Sequence, residues 1–241
     1  MKSEFLSVST QMKPSSFTIP SSATLLAVLF LFRASALAQG TVYLSNLGQG
    51  SAGGLGVGVG ESLAQPFYTG NTSAGYTLNS IQLFMTAVSG PGPSGGFGLA
   101  LYGDAGGLPG SLLATLSGPD NPSAQGVYTY TAAGISLLPL TPYWIEATSP
   151  PSSPYYWWSI ATATSFSAED GWGGKTTSPY SLILSGAATT GNGLGPLQFA
   201  VSATPVPEPG QLAWLVLGSA TLFCHKAQRR RGRSPRNTAS Q

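Results

Sequence analysis

Few residues in this 241-residue chain belong to types that could do chemistry. The only histidine is His225 and the only cysteine is Cys224, both close to the C-terminus. A serine or cysteine nucleophile needs an imidazole base, and zinc held by protein side chains usually needs His or Cys ligands. We therefore expect neither kind of site in residues 39–203, and we predict no metal and no cofactor.

Paired carboxylates could still hydrolyse a glycosidic bond. Glu169 and Asp170 are the only adjacent acidic pair, but neighbours on one strand point to opposite faces, and residues 167–171 are typical of a turn. Asp104 and this pair also carry oxygens of the kind that calcium accepts, yet no loop repeats acidic residues at alternating positions. We predict that the protein is not an enzyme.

A glycine-rich run at residues 53–60 resembles a phosphate-binding loop in composition. It lacks the Lys-Ser/Thr ending of such a loop, and no helical pattern follows it. We interpret it as a flexible loop or as a strand that carries glycines.

Aromatic residues provide the best candidate for a binding function. Tyr155, Tyr156, Trp157 and Trp158 are consecutive, with Trp144 before them and Trp172 after them. Large flat rings suit both a core and a platform on which sugar rings stack. Alternation along a strand turns Tyr156 and Trp158 to one side and their neighbours to the other, so at least half of the cluster belongs to a core. Core packing and sugar stacking by Tyr156, Trp157, Trp158 and Trp172 both stay open.

The elements that must position these residues are short β-rich runs separated by Gly, Pro, Asn and Ser. The predicted strands are 41–44, 63–68, 76–85, 97–102, 111–116, 126–131, 143–148, 156–161, 180–184 and 197–202. With 32 Gly, 19 Pro and 7% charged residues, the composition is typical of a secreted all-β domain. We predict a single β-sandwich, jelly-roll-like, over residues 39–203.

Charge and cysteine usage restrict the partners of this domain. Between residues 39 and 204 six acidic residues stand against Lys175 alone, a net charge of about −5. A nucleic-acid partner is therefore not expected. Because the domain contains no cysteine, it must hold itself together without a disulfide.

Residues 1–38 have the features of a secretory signal peptide. A basic first segment and the apolar run 23–32 precede the small residues Ala36 and Ala38. We predict cleavage after Ala38, which leaves Gln39 as the mature N-terminus.

Residues 204–241 carry the most specific signal of the chain. Val206, Pro207, Glu208 and Pro209 form a stiff, exposed hinge, since proline cannot continue a helix and restricts the residue before it. The apolar run after the hinge includes Leu212, Trp214, Leu215, Val216, Leu217, Leu222 and Phe223.

This run has the length of a marginal membrane span. From Pro209 to His225 there are 17 residues without a charged side chain, against about 17 to 25 needed to cross a bilayer. Arg229, Arg230 and Arg231 follow, and such residues stay on the cytoplasmic side. We predict a single transmembrane helix oriented by these arginines. The alternative is an ordinary buried helix followed by a nucleic-acid-binding tail.

The order of hinge, apolar run and arginines resembles the PEP-CTERM sorting signal of Gram-negative bacteria. The resemblance covers about the last 35 residues, although the apolar run is short and the polar segment 232–241 follows the arginines. It implies recognition by an exosortase, a membrane-embedded cysteine protease-transpeptidase. It also implies passage through the inner membrane to the cell surface or to the exopolysaccharide layer.

Residues 40–202 resemble the choice-of-anchor domains, in particular the R type. The resemblance is carried by residues 64–69 (Ala-Gln-Pro-Phe-Tyr-Thr), 76–81 (Tyr-Thr-Leu-Asn-Ser-Ile), 99–104 with 108–110, and 140–145 (Leu-Thr-Pro-Tyr-Trp-Ile). These are bacterial surface domains that occur with different C-terminal anchors. The resemblance implies no catalytic residues.

Together these observations predict an exported, non-enzymatic surface or matrix protein that an exosortase sorts. The alternative is a carbohydrate-binding module for exopolysaccharide, and a small glycan hydrolase is the third hypothesis.

Overall fold

The computed structural model describes residues 40–58, 60–87, 95–150, 155–174, 180–184, 187–191 and 194–208. All regular structure in these ranges is β-strand, and they contain no helix. The all-β prediction is thereby confirmed for this part of the chain. The strands are β1 (Thr41–Ser45), β2 (Ser51–Val57), β3 (Glu61–Tyr68), β4 (Tyr76–Thr86), β5 (Gly98–Asp104), β6 (Pro109–Leu116), β7 (Gly126–Leu137), β8 (Pro142–Thr148), β9 (Tyr156–Ala161), β10 (Ser167–Ala168), β11 (Gly173–Gly174), β12 (Tyr180–Leu184), β13 (Ala187–Gly191) and β14 (Phe199–Pro205).

The strands form two antiparallel sheets. The first sheet has the order β10-β1-β14-β4-β9-β2, with β7 also paired to β4. The second sheet has the order β13-β12-β3-β8-β5-β6, with β11 also paired to β3. Two sheets with one shared core are consistent with the predicted β-sandwich.

Strand β4 shows how the sequence pattern builds the core. Tyr76 and Leu78 are buried, and after a register shift against β14, in which Leu78 and Ser80 pair with consecutive residues, the buried positions resume at Ile81, Leu83 and Met85. Such an irregularity adds one residue to a strand and re-aims those after it. The shift explains why the apolar positions alternate over most of the strand but not across residues 79 and 80.

Aromatic side chains from both sheets meet in the core. Trp172 is parallel to Phe67 at a ring-centroid distance of 6.0 Å and stacks on Tyr43 at 5.2 Å. Tyr76 meets Trp172 edge to face at 4.9 Å. Such ring pairs contribute about 0.5 to 1.5 kcal/mol beyond the area that they bury, which helps a domain without disulfides.

The domain begins and ends at the same end, which we call the exit end. β1 and β14 are antiparallel neighbours, with Thr41 opposite Ala203. The backbone N–H of Val206 then donates to the carbonyl of Gly75, just before β4, at 3.0 Å. The chain therefore leaves β14 beside the N-terminal strand β1 and enters the predicted sorting motif there.

Several predicted features lie outside the described residues. They are the signal peptide with Ala36 and Ala38, Pro209, the apolar run 212–223 and Arg229–Arg231. Within the described ranges no helix is long and apolar enough to cross a membrane.

Candidate functional site

Tyr155 and Trp157 form an aromatic platform on the outer face of the first sheet. Both side chains are half-buried, and their ring centroids lie 6.1 Å apart with the planes tilted by 47°. Trp157 lies on β9 opposite Gly56 of the edge strand β2. The platform therefore presents two rings to solvent at one edge of the sheet.

Glycines of β2 make room for this platform. A Cβ atom at Gly56 would lie 2.5 Å from Cδ1 of Tyr155, and one at Gly54 would lie 3.0 Å from Cβ of Trp157. Such distances are shorter than van der Waals contact, so any larger residue would push the rings away. Residues 53–57 of the glycine-rich run belong to strand β2, and the glycines at positions 54 and 56 provide space for these side chains.

Further groups on this face extend the platform. Thr86 lies opposite Trp157, and its hydroxyl donates weakly to the carbonyl of Trp157 at 3.4 Å. Phe84 lies two residues earlier on the same face. Its partner on β7 is Val127, and Val127 is 49% exposed. Gln82 follows in the same alternation and donates through Nε2 to the Thr129 hydroxyl at 3.2 Å. Rings beside hydroxyl and amide groups are the chemistry that a carbohydrate requires.

The other members of the predicted stacking set lie in the core. Tyr156 and Trp158 are fully buried, and Trp172 is 4% exposed. The Trp158 indole N–H donates to the carbonyl of Gln198 at 2.9 Å, and the Tyr156 hydroxyl donates to the carbonyl of Asp120 at 3.2 Å. These three rings have no open face for a sugar, so Trp157 is the member of that set that can stack, with Tyr155 as its partner.

Glu146 is a buried carboxylate that the sequence analysis did not single out. Its side chain is 8% exposed on β8, on the face of the second sheet opposite to the one that carries Ile145. Burial raises the pKa of the Glu146 carboxyl above its ordinary range, while a 2.7 Å hydrogen bond from the Ser62 hydroxyl opposes this shift. The sequence signal was the nearly continuous apolar run on either side of Glu146, because a strand with one solvated face would carry a polar residue at every second position.

Among the described residues, no second carboxylate contributes to the raised pKa of Glu146. Asp104 accepts the indole N–H of Trp144 at 2.8 Å and the backbone N–H of Gly107 at 3.1 Å, so its oxygens close a turn. Glu146 lies opposite Ala100 on β5, four residues before Asp104. The backbones of Ala100 and Asp104 are thus about 13 Å apart along the strand.

The predicted acidic pair lies elsewhere. Glu169 and Asp170 are exposed, and Asp170 with Gly171 forms a turn in which Asp170 has a φ of 50°. In the described residues, no group of three or more His, Cys, Asp or Glu side chains could hold a metal ion.

Comparison with known proteins adds no relative. No family model and no curated protein matches this chain. The two family resemblances therefore stay predictions.

The start of the predicted sorting motif lies on the surface at the exit end. Pro207 and Glu208 are exposed directly after β14, and the Ser73 hydroxyl donates to Oε1 of Glu208 at 2.6 Å. Val206 is half-buried through its contact with Gly75. The first three residues of the motif are therefore adjacent to the folded domain and reachable from solvent.

Proposed function

We propose that this chain is an exported bacterial cell-surface or extracellular-matrix protein of a structural or interaction type. An exosortase recognises the segment from Val206 to Pro209, the apolar run that follows holds the substrate in the inner membrane, and Arg229–Arg231 orient it. The observation that carries the proposal is the order of these segments in the sequence. It is supported by the exposure of Pro207 and Glu208 directly after the last strand.

The same proposal includes three further features of the architecture. They are a signal peptide at residues 1–38, a jelly-roll type of sandwich, and one transmembrane helix. The chain path supports the jelly roll: β3, β4 and β5 alternate between the sheets, and the first strand lies beside the last.

Surface sorting can be tested in a host that has an exosortase. We expect the wild-type chain to reach the surface or exopolysaccharide fraction, and a Pro207→Ala/Pro209→Ala variant to stay in the inner membrane. Pro205→Ala is the matched control, because Pro205 is exposed and lies just before the motif. Equal surface delivery of the double variant would refute recognition of this motif.

The second candidate function is binding of exopolysaccharide through the platform. The observation in its favour is the pair of half-buried rings of Tyr155 and Trp157 beside β2, with the Thr86 hydroxyl next to Trp157 and the Gln82 amide farther along the same face. We expect Trp157→Ala to weaken binding to bacterial exopolysaccharide at least about fivefold, since stacking contributes about 1 kcal/mol beyond area and each 1.4 kcal/mol is tenfold. Leu113→Ala, at an exposed leucine of β6, is the control. Unchanged binding by Trp157→Ala would exclude the platform.

A glycan hydrolase is the weakest of the three hypotheses. The two exposed carboxylates of Glu169 and Asp170 lie at a turn, and no second carboxylate among the described residues contributes to the raised pKa of Glu146. Glycan turnover that is lost in Asp170→Asn would overturn the non-enzymatic proposal.

A further inference from the structure

The turn between β7 and β8 presents two leucines to solvent. Leu138 is 64% exposed and Leu140 is 71% exposed, the two highest values among the exposed large hydrophobic residues that the structure describes. Tyr68 lies beside this turn, opposite Pro142, and is 37% exposed. We call Leu138–Thr141 the leucine turn.

The leucine turn is held in place and strained at one residue. Leu140 has a φ of 50°, in the left-handed region that disfavours a side chain of this size. Its backbone N–H donates to the carbonyl of Gly70 at 2.9 Å. Glycine would fit this position without strain, so leucine at a site with little packing calls for a reason outside the fold.

Four further hydrogen bonds fix the turn. The Thr69 hydroxyl donates to the carbonyl of Leu138 at 2.6 Å and accepts the N–H of Thr141 at 2.9 Å. The N–H of Leu138 donates to the Tyr143 hydroxyl at 2.7 Å, and the N–H of Thr69 donates to the carbonyl of Thr141 at 3.1 Å. The leucines are therefore presented by an ordered turn, so little further backbone ordering is needed when they contact a partner.

This turn is next to the point where the chain leaves the domain. A Cβ atom at Gly75 would lie 2.4 Å from the carbonyl oxygen of Leu137 and 3.6 Å from Cδ of Pro139. The carbonyl of the same Gly75 accepts the N–H of Val206. Gly75 thus touches the leucine turn on one side and the start of the sorting tail on the other.

We propose that, before processing, the leucine turn inserts Leu138 and Leu140 into the lipid interface beside the sorting tail. The inference rests on the proposed function, because it requires the apolar run to enter a bilayer. From Val206 to Leu212 the chain reaches at most about 20 Å, so the bilayer surface lies close to the exit end. Apolar side chains at such a surface bury about 5 to 10 Å deep, and a tyrosine such as Tyr68 suits the headgroup level.

The charge of the exit end indicates which kind of lipid it would contact. Asp170 and Glu208 lie on the loops around the exit end, where the carbonyl of Asp170 accepts the N–H of Asn71. None of the described residues is a lysine or an arginine. The described residues of this end therefore offer no cation to anionic lipid, and burial of apolar surface is the driving force that they provide. We expect stronger contact with zwitterionic than with anionic lipid.

The test uses the full chain reconstituted into phosphatidylcholine vesicles. In a Cys224→Ser background, Leu140→Cys carries an environment-sensitive fluorophore, and quenching by aqueous iodide and by nitroxide lipids is measured. Leu194→Cys is the matched control, since Leu194 is 50% exposed and precedes β14, at the end of the first sheet away from Val206. The wild-type chain labelled at Cys224 reports insertion of the tail itself.

The proposal predicts severalfold lower iodide quenching at position 140 than at position 194, together with quenching by shallow nitroxide lipids. Equal iodide quenching at the two positions would overturn it. If Cys224 is protected while position 140 is not, membrane insertion of the tail survives and the leucine contact is refuted. If Cys224 is accessible as well, the membrane step of the proposed function fails too. A repeat in vesicles with anionic lipid is expected to reduce protection at position 140, and increased protection there would contradict the apolar mechanism.

Discussion

Among single residues, Gly56 and Gly54 determine which aromatic side chains can lie on the outer face beside strand β2. Their missing side chains leave space for Tyr155 and Trp157 on the outer face, while Tyr156 and Trp158 turn into the core. The same four consecutive aromatic residues therefore fill the interior and form a surface. Strand alternation, together with the glycines of the neighbouring strand β2, determines which rings are buried and which lie on the surface.

Gly56→Ala tests the space under the platform. The added methyl group would lie 2.5 Å from Cδ1 of Tyr155, so we expect the ring to move and exopolysaccharide binding to fall severalfold. Because the ring is partly exposed and can yield, the stability loss should stay near 1 kcal/mol. Gly48→Ala is the control, since nothing lies within 4 Å of a Cβ atom there. Equal binding by both variants would contradict the role of Gly56.

Substitution of the tryptophans separates core from surface. Trp172→Ala should lower the free energy of unfolding by about 3 to 5 kcal/mol, as removal of a buried large side chain does. Trp157→Ala should lower it by about 1 kcal/mol or less, because its ring is partly solvated. Urea denaturation measures both. A larger loss for Trp157→Ala than for Trp172→Ala would contradict this assignment of the two rings.

Glu146 should make stability depend on pH. Its pKa is raised in the folded state by burial, with the Ser62 hydrogen bond opposing, so the folded protein holds this proton more tightly than the unfolded chain does. The Glu146 contribution to stability is therefore present below about pH 4.3, the ordinary glutamate pKa, and is lost as pH rises through the folded value. Glu146→Gln should remove this part of the decline, measured by urea denaturation between pH 4 and about pH 7.

Ser62→Ala provides the matched second variant. Without the hydrogen bond to the carboxylate, the folded pKa of Glu146 should rise further. Stability at neutral pH should fall by about 1.5 to 3 kcal/mol, as for hydrogen bonds to charged groups. If wild type, Glu146→Gln and Ser62→Ala decline equally with pH, the buried carboxylate does not control this behaviour.

At the scale of elements, a buried polar network joins the β1–β2 loop to β14 and β9. The Asn46 amide donates to the carbonyl of Leu197 at 3.0 Å and accepts the N–H of Phe199 at 2.7 Å. Gln198 accepts from the Ser159 hydroxyl at 2.6 Å and donates to the carbonyl of Gln49 at 2.8 Å. This network completes backbone hydrogen bonds where the regular pairing of β14 ends.

Asn46→Ala should leave two buried backbone groups without partners. Each such group costs about 1 to 3 kcal/mol, so we expect a loss of about 2 to 5 kcal/mol in the free energy of unfolding by urea. Gln82→Ala is the control on the exposed face and should cost less than about 0.5 kcal/mol. A loss for Asn46→Ala as small as that of the control would show that water or a relaxed loop replaces these bonds.

The strands were largely predictable because β-rich runs between turn residues carry a local signal. Each of the ten predicted runs contains or overlaps an observed strand. Strand β2 was left open as loop or strand because its glycines lack β propensity. Strands β10, β11 and β13 were missed, the first two being only two residues long. The buried amides of Asn46, Gln65 and Gln198 could not be predicted, since each has a hydrogen-bond partner more than 100 residues away.

The candidate site was only partly predictable. Alternation correctly separates Tyr156 and Trp158 from Tyr155 and Trp157, but it does not tell which pair faces inward. That choice depends on pairing with β2, about 100 residues earlier in the chain. Trp172 is buried against Phe67 and Tyr43, which also lie more than 100 residues earlier in the chain. Pairwise contacts of this kind are not encoded in a local pattern.

At the scale of the whole molecule, the binding candidate and the membrane candidate lie at opposite ends of β4. Tyr76, where β4 begins, is at the exit end, while Thr86, where it ends, is opposite Trp157. Eleven strand residues span about 35 Å. A domain held at a bilayer by its C-terminal tail would thus carry the platform at the end of β4 that lies away from the lipid.

The proposed export and the proposed processing at the C-terminal signal determine both termini of the mature protein. The mass of the mature protein is therefore the direct test of both steps. Intact-mass spectrometry of the protein from the surface or matrix fraction of its own host gives both termini at once. We predict an N-terminus at Gln39 and a C-terminus that lacks Arg229–Arg231, with the domain through β14 intact. Surface material that retains Arg229–Arg231 would contradict the account.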